Sequence, residues 1–519
     1  FGDHTVSTMV GTSAEKERYE TVNASKEGLV NNDANQQIIN AATKNPAASG
    51  SVSYHTMNSY FGRVFYSYAD KYMITANIRW DGSSNFADKH RWGVFPSVSG
   101  GWNFREESFI KDVVGDWFSQ GKFRAAWGEI GNQNISSGAY LTRYGNSTYY
   151  LLGNSMTPWL SGGRTNVGNP DLRWETTRQL DFGLDLAFFN SALKFNIDYF
   201  DRKTSDMLVQ VPMPAAIGLP NTPWSNAGSV KNRGFEFVLD YHGKIGNDFS
   251  YNIAGNISTY KNKVLSLGGG TNIPGKTHLG NQVNTMIEPG KPIGYFYGYK
   301  MDGVFQTQEE INNYRGGPDN TIIMPTAEPG DLKFVDLNGD GKLGEEDRTM
   351  IGNPHPDFTF GLTLSGEYKG FDLSMFFQGS VGNDILNILK YDIYSGTGWY
   401  NAPKDIFDKF WTGPGSTNEN FAISANSRDN LTMSEWYIEN GSYVRLKNVT
   451  LGYTFPKQWV QKLTVQNLRL FVAAQNLFTI TSYSGLDPEL GNSNPAFMGI
   501  DMGWYPQARS FMVGLSLKL

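Results

Sequence analysis

Along most of this chain, hydrophobic and polar residues alternate with a period of two. Leu180, Phe182, Leu184, Leu186 and Phe188 alternate with Asp181, Gly183, Asp185 and Ala187. Leu193, Phe195, Ile197 and Tyr199 alternate with Lys194, Asn196 and Asp198, so the two runs read as a hairpin turning at Asn190-Ser191. The pattern returns at Phe235, Phe237, Leu239 and Tyr241, and at Phe249, Tyr251, Ile253 and Ile257. It returns again at Phe358, Phe360, Leu362 and Leu364, which lead through Lys369-Gly370 into Phe371, Leu373, Met375 and Phe377. A period of two puts successive side chains on opposite faces of a strand. Fourteen strands are predicted, near 3–12, 55–69, 71–82, 92–105, 120–131, 177–190, 192–203, 227–242, 248–261, 356–368, 371–381, 442–455, 467–479 and 508–519. The fold class is all-β.

Alternation alone does not separate a soluble sandwich, with its apolar face inward, from an outer-membrane barrel, with its apolar face toward lipid. Three further features favour the barrel. Many predicted strands reach the roughly 9–11 residues that a tilted lipid-spanning strand needs. Aromatics crowd strand ends, as at Phe65, Tyr66, Tyr68 and Tyr72 around Asp70. Connections alternate in length. Short turns fall at Asp70, Asn190-Ser191, Gly243 to Asn247 and Lys369-Gly370, and medium ones near 106–119 and 456–466. Long ones fall near 13–54, 132–176, 204–226, 262–355, 382–441 and 480–507, and only 83–91 breaks the alternation. Barrels of this kind have short periplasmic turns and long outer loops.

Composition narrows the classes. Only 39% of the 519 residues are hydrophobic, yet 14% are aromatic, which argues against a disordered chain. A net charge of -6 does not suit a nucleic-acid binder, and none is expected as a partner. The absence of Cys excludes a disulfide scaffold. No apolar run approaches the ~18–20 residues of a membrane-spanning helix.

Several segments together resemble the SusC/RagA-like TonB-dependent transporters. They include Pro329-Gly330-Asp331-Leu332-Lys333-Phe334-Val335-Asp336-Leu337-Asn338-Gly339-Asp340-Gly341 and Ile351-Gly352-Asn353-Pro354. Asn169-Pro170-Asp171-Leu172-Arg173-Trp174-Glu175, Val444 to Tyr453 and Ala474-Gln475-Asn476-Leu477-Phe478 are similar too, as is Arg79 to Ser84 followed by Phe95-Pro96-Ser97. The resemblance implies a transmembrane antiparallel barrel of 22 strands in the bacterial outer membrane, of which residues 1–519 would be the C-terminal part. A plug and about eight strands are expected ahead of Phe1, and they are absent from this chain. It further implies import of an oligosaccharide or peptide, a SusD-like surface lipoprotein as lid, energy from TonB through the missing N-terminal region, and outer-membrane lipid around the strands. No enzyme activity and no organic cofactor are expected. Two alternatives stay open: the same barrel as an assembly component without import, and a soluble secreted all-β glycan-binding protein.

One metal site is a candidate. Asp336, Asn338, Asp340, Gly341, Lys342 and Asp347 follow positions 1, 3, 5, 6, 7 and 12 of an EF-hand loop, in which hard oxygens surround Ca²⁺. Lys342 would contribute its carbonyl oxygen. Position 12 is Asp where Glu is usual, and an Asn/Asp/Gly-rich turn without metal is the ordinary alternative. Gly270-Thr271-Asn272-Ile273-Pro274-Gly275-Lys276-Thr277 matches a phosphate-loop string, but no amphipathic helix follows it, so phosphate binding is not expected. The six histidines form no local catalytic signature, and His242 on a polar strand face is expected to hydrogen-bond toward the lumen. Trp159, Trp224, Trp399, Tyr400, Trp411, Trp436, Trp504 and Tyr505 lie in the long connections, where they either meet ligands or pack internally.

Overall fold

The computed structural model describes residues 1–31, 33–151, 158–210, 222–268, 270, 272–276, 282–394, 400–423, 429–460, 465–492 and 494–518. Trp399 and the 277–281 segment thus lie outside the described residues, as do Thr271 and the side chain of Trp159. Fourteen strands form the main sheet: β1 (His4–Glu27), β2 (Lys44–Tyr68), β3 (Tyr72–Ser83), β4 (Trp92–Asn103), β5 (Phe118–Asn132), β6 (Glu175–Phe188), β7 (Leu193–Ser205), β8 (Ser229–Ile245), β9 (Phe249–Ser266), β10 (Phe358–Tyr368), β11 (Phe371–Val381), β12 (Tyr443–Thr454), β13 (Asn467–Thr481) and β14 (Ser510–Lys518). Their order in the sheet is their order in the chain. Each strand therefore pairs with its sequence neighbours, antiparallel, as in β1 with β2 and β10 with β11.

The turns follow from local chemistry. Lys369 (φ 46°) and Gly370 (φ 87°) form a two-residue loop between the paired Tyr368 and Phe371. Positive φ at both positions is the type I′ geometry whose twist matches the flanking strands. At 69–71, Ala69 and Asp70 both take positive φ, and at 189–191 Phe189, Asn190 and Ser191 all do.

One expectation is overturned. The segment 13–54 is not a long loop. β1 continues to Glu27 and β2 begins at Lys44, and the two stay in register from His4↔Tyr68 to Ala24↔Ala48. β3 pairs only with Met57 to Tyr68 of β2, so the outer half of this hairpin is a two-stranded ribbon. The run Glu15-Lys16-Glu17-Arg18 and the later Gly50 and serines hide the alternation there. Cross-strand register carries the pairing onward, and Lys16 lies over the Tyr54 ring at 5.8 Å.

The faces of the strands are those of a lipid-embedded sheet. In β3, Tyr72, Ile74, Ala76, Ile78 and Trp80 are exposed, whereas Met73, Thr75 and Asn77 are half-buried and Asp81 is buried. In β4, Trp92, Val94, Val98 and Trp102 are exposed and Ser97 and Ser99 are not. Water would penalise such an apolar face, and a hydrocarbon layer does not. The soluble-sandwich alternative required the reverse. The other face carries charges that pair across strands. Arg124 on β5 reaches Asp185 on β6 at 2.8 Å and Asp198 on β7 at 2.9 Å, and Arg469 on β13 reaches Asp372 on β11 at 2.5 Å.

The chain divides into two compact units. The first holds 1–100, 126–179 and 204–228. Its buried cluster is Phe86, Phe95, Ile135, Ala139, Leu172, Trp174 and Leu208. The Asn169 to Glu175 motif supplies Leu172 and Trp174, and the Trp174 ring lies 5.3 Å from those of Phe86 and Phe95. The second holds 101–125, 180–203 and 229–519. Its core comes mainly from the long connections, with Phe296, Phe305, Leu332, Phe334, Phe421 and Tyr437 almost wholly buried. Leu332 and Phe334 belong to the Pro329 to Gly341 motif. Both motifs are thus packing elements of the connections.

A candidate ligand cleft in the long connections of the second unit

Past the end of β11 the chain forms Asp384–Asn387. This short strand pairs antiparallel with Ile438–Asn440 and parallel with Ile500–Asp501. Three distant stretches are thereby drawn into one small sheet. Helix Leu389–Tyr394 follows, and its i, i+4 spacing puts Lys390 and Tyr394 on one face. A second short helix, Ile406–Lys409, begins after Asp405. Between these elements lies a cleft of about 580 Å³, lined among others by Asn387, Lys390, Tyr394, Glu419, Trp436 and Glu439.

Its walls are tied by hydrogen bonds. Lys390 Nζ lies 2.9 Å from Glu439, donates to the Trp436 carbonyl at 2.9 Å and sits 5.1 Å from the Trp436 ring centre. Glu439 also accepts from Asn387 Nδ2 at 3.1 Å, from the Ser484 N–H at 2.9 Å and from the Ser484 hydroxyl at 2.8 Å. Burial opposes the Glu439 charge, but Lys390 and Ser484 outweigh it and hold the carboxyl below its ordinary range. Tyr394 donates to Asp405 at 3.1 Å, and burial together with that carboxylate pushes its hydroxyl up to about 12. Behind the cleft, Phe410, Phe421, Trp436 and Tyr394 pack at ring distances from 4.7 to 6.3 Å.

The connection after β13 is pinned beside this cleft. Arg445 on β12 donates to Asp487 at 2.5 Å, to Glu489 at 2.6 Å and to Thr479 Oγ1 at 2.7 Å. Lys447 reaches Glu489 at 2.8 Å. Arg445 and Asp487 are 4% and 7% exposed at their side chains, so this is a buried ion cluster. It sits at an irregularity: pairing slips between Leu446 and Asn448, leaving Lys447 without a partner residue, and Asn476 on β13 takes φ 51°. A bulge re-aims side chains in this way.

The predicted metal residues are brought into one turn. Asp336 accepts from the N–H of Gly339 at 2.7 Å and of Gly341 at 2.8 Å. Asn338 accepts from the Asp340 N–H at 2.8 Å, and Asp340 from the Lys342 N–H at 2.9 Å. Gly339 and Gly341 have φ of 74° and 85°, as such a loop demands. Asp347 is wholly buried and accepts from the N–H of Leu337, Asn338 and Gly344 at 2.9, 3.2 and 2.7 Å. Its oxygens therefore cap the turn. Among the described residues, no three His, Asp or Glu side chains are grouped to hold a metal. All four side chains accept amides of the turn, and Asp347, wholly buried, accepts three, so the set fits a hard cation only in part.

Other candidates resolve simply. Ile273–Lys276 is a strand paired with Val283–Ile287, so Gly275 and Lys276 of the phosphate-loop string lie on a strand. His242 lies 3.9 Å from Asp240 on its own strand. Trp436 is buried in the core and Trp411 and Trp224 pack against theirs, whereas Tyr400, Trp504 and Tyr505 are exposed. Asn387, Lys390 and Glu439 were missed, because the small sheet that gathers them joins segments more than fifty residues apart. The ion cluster that latches the connection after β13 did leave a signal: Arg445-x-Lys447 and Asp487-x-Glu489 match in spacing and oppose in charge.

Residues 3–477 match the family described as TonB dependent receptor-like, beta-barrel. The chain belongs to this family. It is an outer-membrane β-barrel chain, and the exposed apolar face of its strands is the lipid face. TonB-dependent receptor P3 of Formosa agariphila is 35% identical over 100% of this chain and 51% of that protein. TonB-dependent receptor SusC of Bacteroides thetaiotaomicron is 32% identical over 89% of this chain and 44% of that protein. The chain thus spans about half the length of these relatives. A structure of the RagAB peptide transporter superposes with a TM-score of 0.79 at 23% identity, over 100% of this chain and 53% of that one, and shows the shared fold.

Proposed function

We propose that this chain is the C-terminal barrel portion of an importer that moves an oligosaccharide or peptide across the outer membrane. The family match over residues 3–477 carries this reading. A likeness to SusC, whose name is that of a TonB-dependent receptor, supports energy supplied by TonB. That likeness and the fold shared with a peptide transporter complex support a SusD-like lipoprotein over the long connections. Chemistry on the substrate has no part in this reading: the relatives are receptors by name. Deleting the gene is expected to abolish growth on one glycan or peptide as sole source, and restoring it is expected to rescue growth. Unchanged growth across the panel, with other outer-membrane proteins lost, would favour the assembly role instead.

We propose a structural role for Ca²⁺ or another hard cation at 336–347, supported by the loop spacing and by the carboxylates of Asp336 and Asp340. Calcium is expected to raise the melting temperature of the wild type and not of Asp336→Ala/Asp340→Ala. An equal rise in both would overturn it.

A further inference from the structure

Each side-chain donor group lining the cleft has at least one acceptor within the protein. Asn387 Nδ2 and the Ser484 hydroxyl go to Glu439. Lys390 goes to Glu439 and to the Trp436 carbonyl, Lys409 to Asp405 at 2.8 Å, and the Tyr394 hydroxyl to Asp405. Trp436 Nε1 donates to Asn420 Oδ1 at 3.0 Å, and Asn420 Nδ2 to the Lys409 carbonyl at 3.2 Å.

The acceptors are not all engaged. Asn387 is 4% exposed and lines the cleft, yet its Oδ1 has no hydrogen-bond partner among the described residues. The Glu419 carboxylate, on the same cleft, has none among them either. Three carboxylates, of Asp405, Glu419 and Glu439, stand against the two ammonium groups of Lys390 and Lys409. The cleft therefore offers acceptors, a negative balance and an aromatic wall.

A sugar hydroxyl both donates and accepts, and a peptide amide unit likewise presents both. An ammonium group only donates, with three N–H bonds and a positive charge. Aromatic faces attract it as well, as Lys390 over Trp436 already illustrates. We propose that the cleft takes a ligand group bearing a primary ammonium, from a lysyl side chain or an amino sugar, with Glu419 as its counter-charge and Asn387 Oδ1 as a neutral acceptor. This rests on the reading of the chain as an importer only for the ligand's origin; the binding itself is independent of transport.

The test uses the full-length protein in detergent and follows tryptophan fluorescence. The probes are trilysine, a glucosamine trimer, and the N-acetylated form of each. A free-amine probe is expected to bind about tenfold or more tighter than its acetylated form, the scale of a charge-assisted hydrogen bond. Which of the two binds identifies the source. Glu419→Gln is expected to remove most of that preference and Glu419→Asp to retain it. Glu419 is exposed, so both variants should fold, and melting curves check this. Equal binding of free and acetylated probes, or binding of neither amine, would overturn the proposal. Growth without amine binding would remove this inference and leave the importer standing; amine binding without growth would do the opposite.

Discussion

Arg445→Ala is expected to free the connection after β13 and to destabilise the protein by about 3–5 kcal/mol, the usual cost of breaking a buried ion pair from one side. Arg445 is the hub: it donates to Asp487, Glu489 and Thr479 at once. Removing it leaves the Asp487 carboxylate buried without its cation, although that group keeps the N–H of Glu489 and Gln507. Glu489 retains Lys447 and should suffer less. The readout is limited proteolysis between 485 and 507, together with the mobility shift that a folded barrel shows on heating in detergent gels. New cleavage with an intact shift is the expected result. Arg445→Met/Asp487→Leu should recover much of the loss, because neither charge is then stranded. Equal damage in the single and double variants would mean that packing around the arginine stem matters, and not its charge.

Ile78→Arg and Asn77→Arg are expected to differ sharply although they are neighbours. Ile78 is exposed on the apolar face of β3, whereas Asn77 donates to Ser97 at 3.1 Å on the polar face. Ile78 lies six residues beyond Tyr72 at the turn. At ~3.4 Å per residue and a tilt of about 40°, that is roughly 15 Å deep, near the bilayer middle. An arginine there should cost about 2–4 kcal/mol, and one on the lumen side little. Urea titration of protein refolded into vesicles gives the comparison. Equal stability of the two variants would overturn the assignment of faces.

These predictions draw differently on sequence and structure. The fourteen strands were legible because strict alternation is a local signal, and the type I′ turn at Lys369-Gly370 announces itself through residue type. The lipid-facing phase was legible from strand length and from the alternation of short and long connections. Where alternation failed, at 13–27 and 44–54, the strands continued unread. Their pairing is carried by register with the opposite strand and not by their own pattern.

The cleft and the latch were decided by tertiary structure. Arg445 and Asp487 are 42 residues apart, and Asn387 lies 52 from Glu439. A bulge at Lys447 and a small sheet built from three separate segments bring them together. The metal-like spacing at 336–347 shows the boundary between the two. The turn was readable, because glycine conformation and Asp/Asn side chains act within a few residues. The use of Asp347 was not, because its burial and its choice of amides depend on what packs around it. Alternation and turn chemistry are set by neighbours in sequence, so the chain alone determined the sheet and the membrane-facing side of its strands. Ion clusters and clefts are set by neighbours in space, so only the folded connections decided where the charges meet.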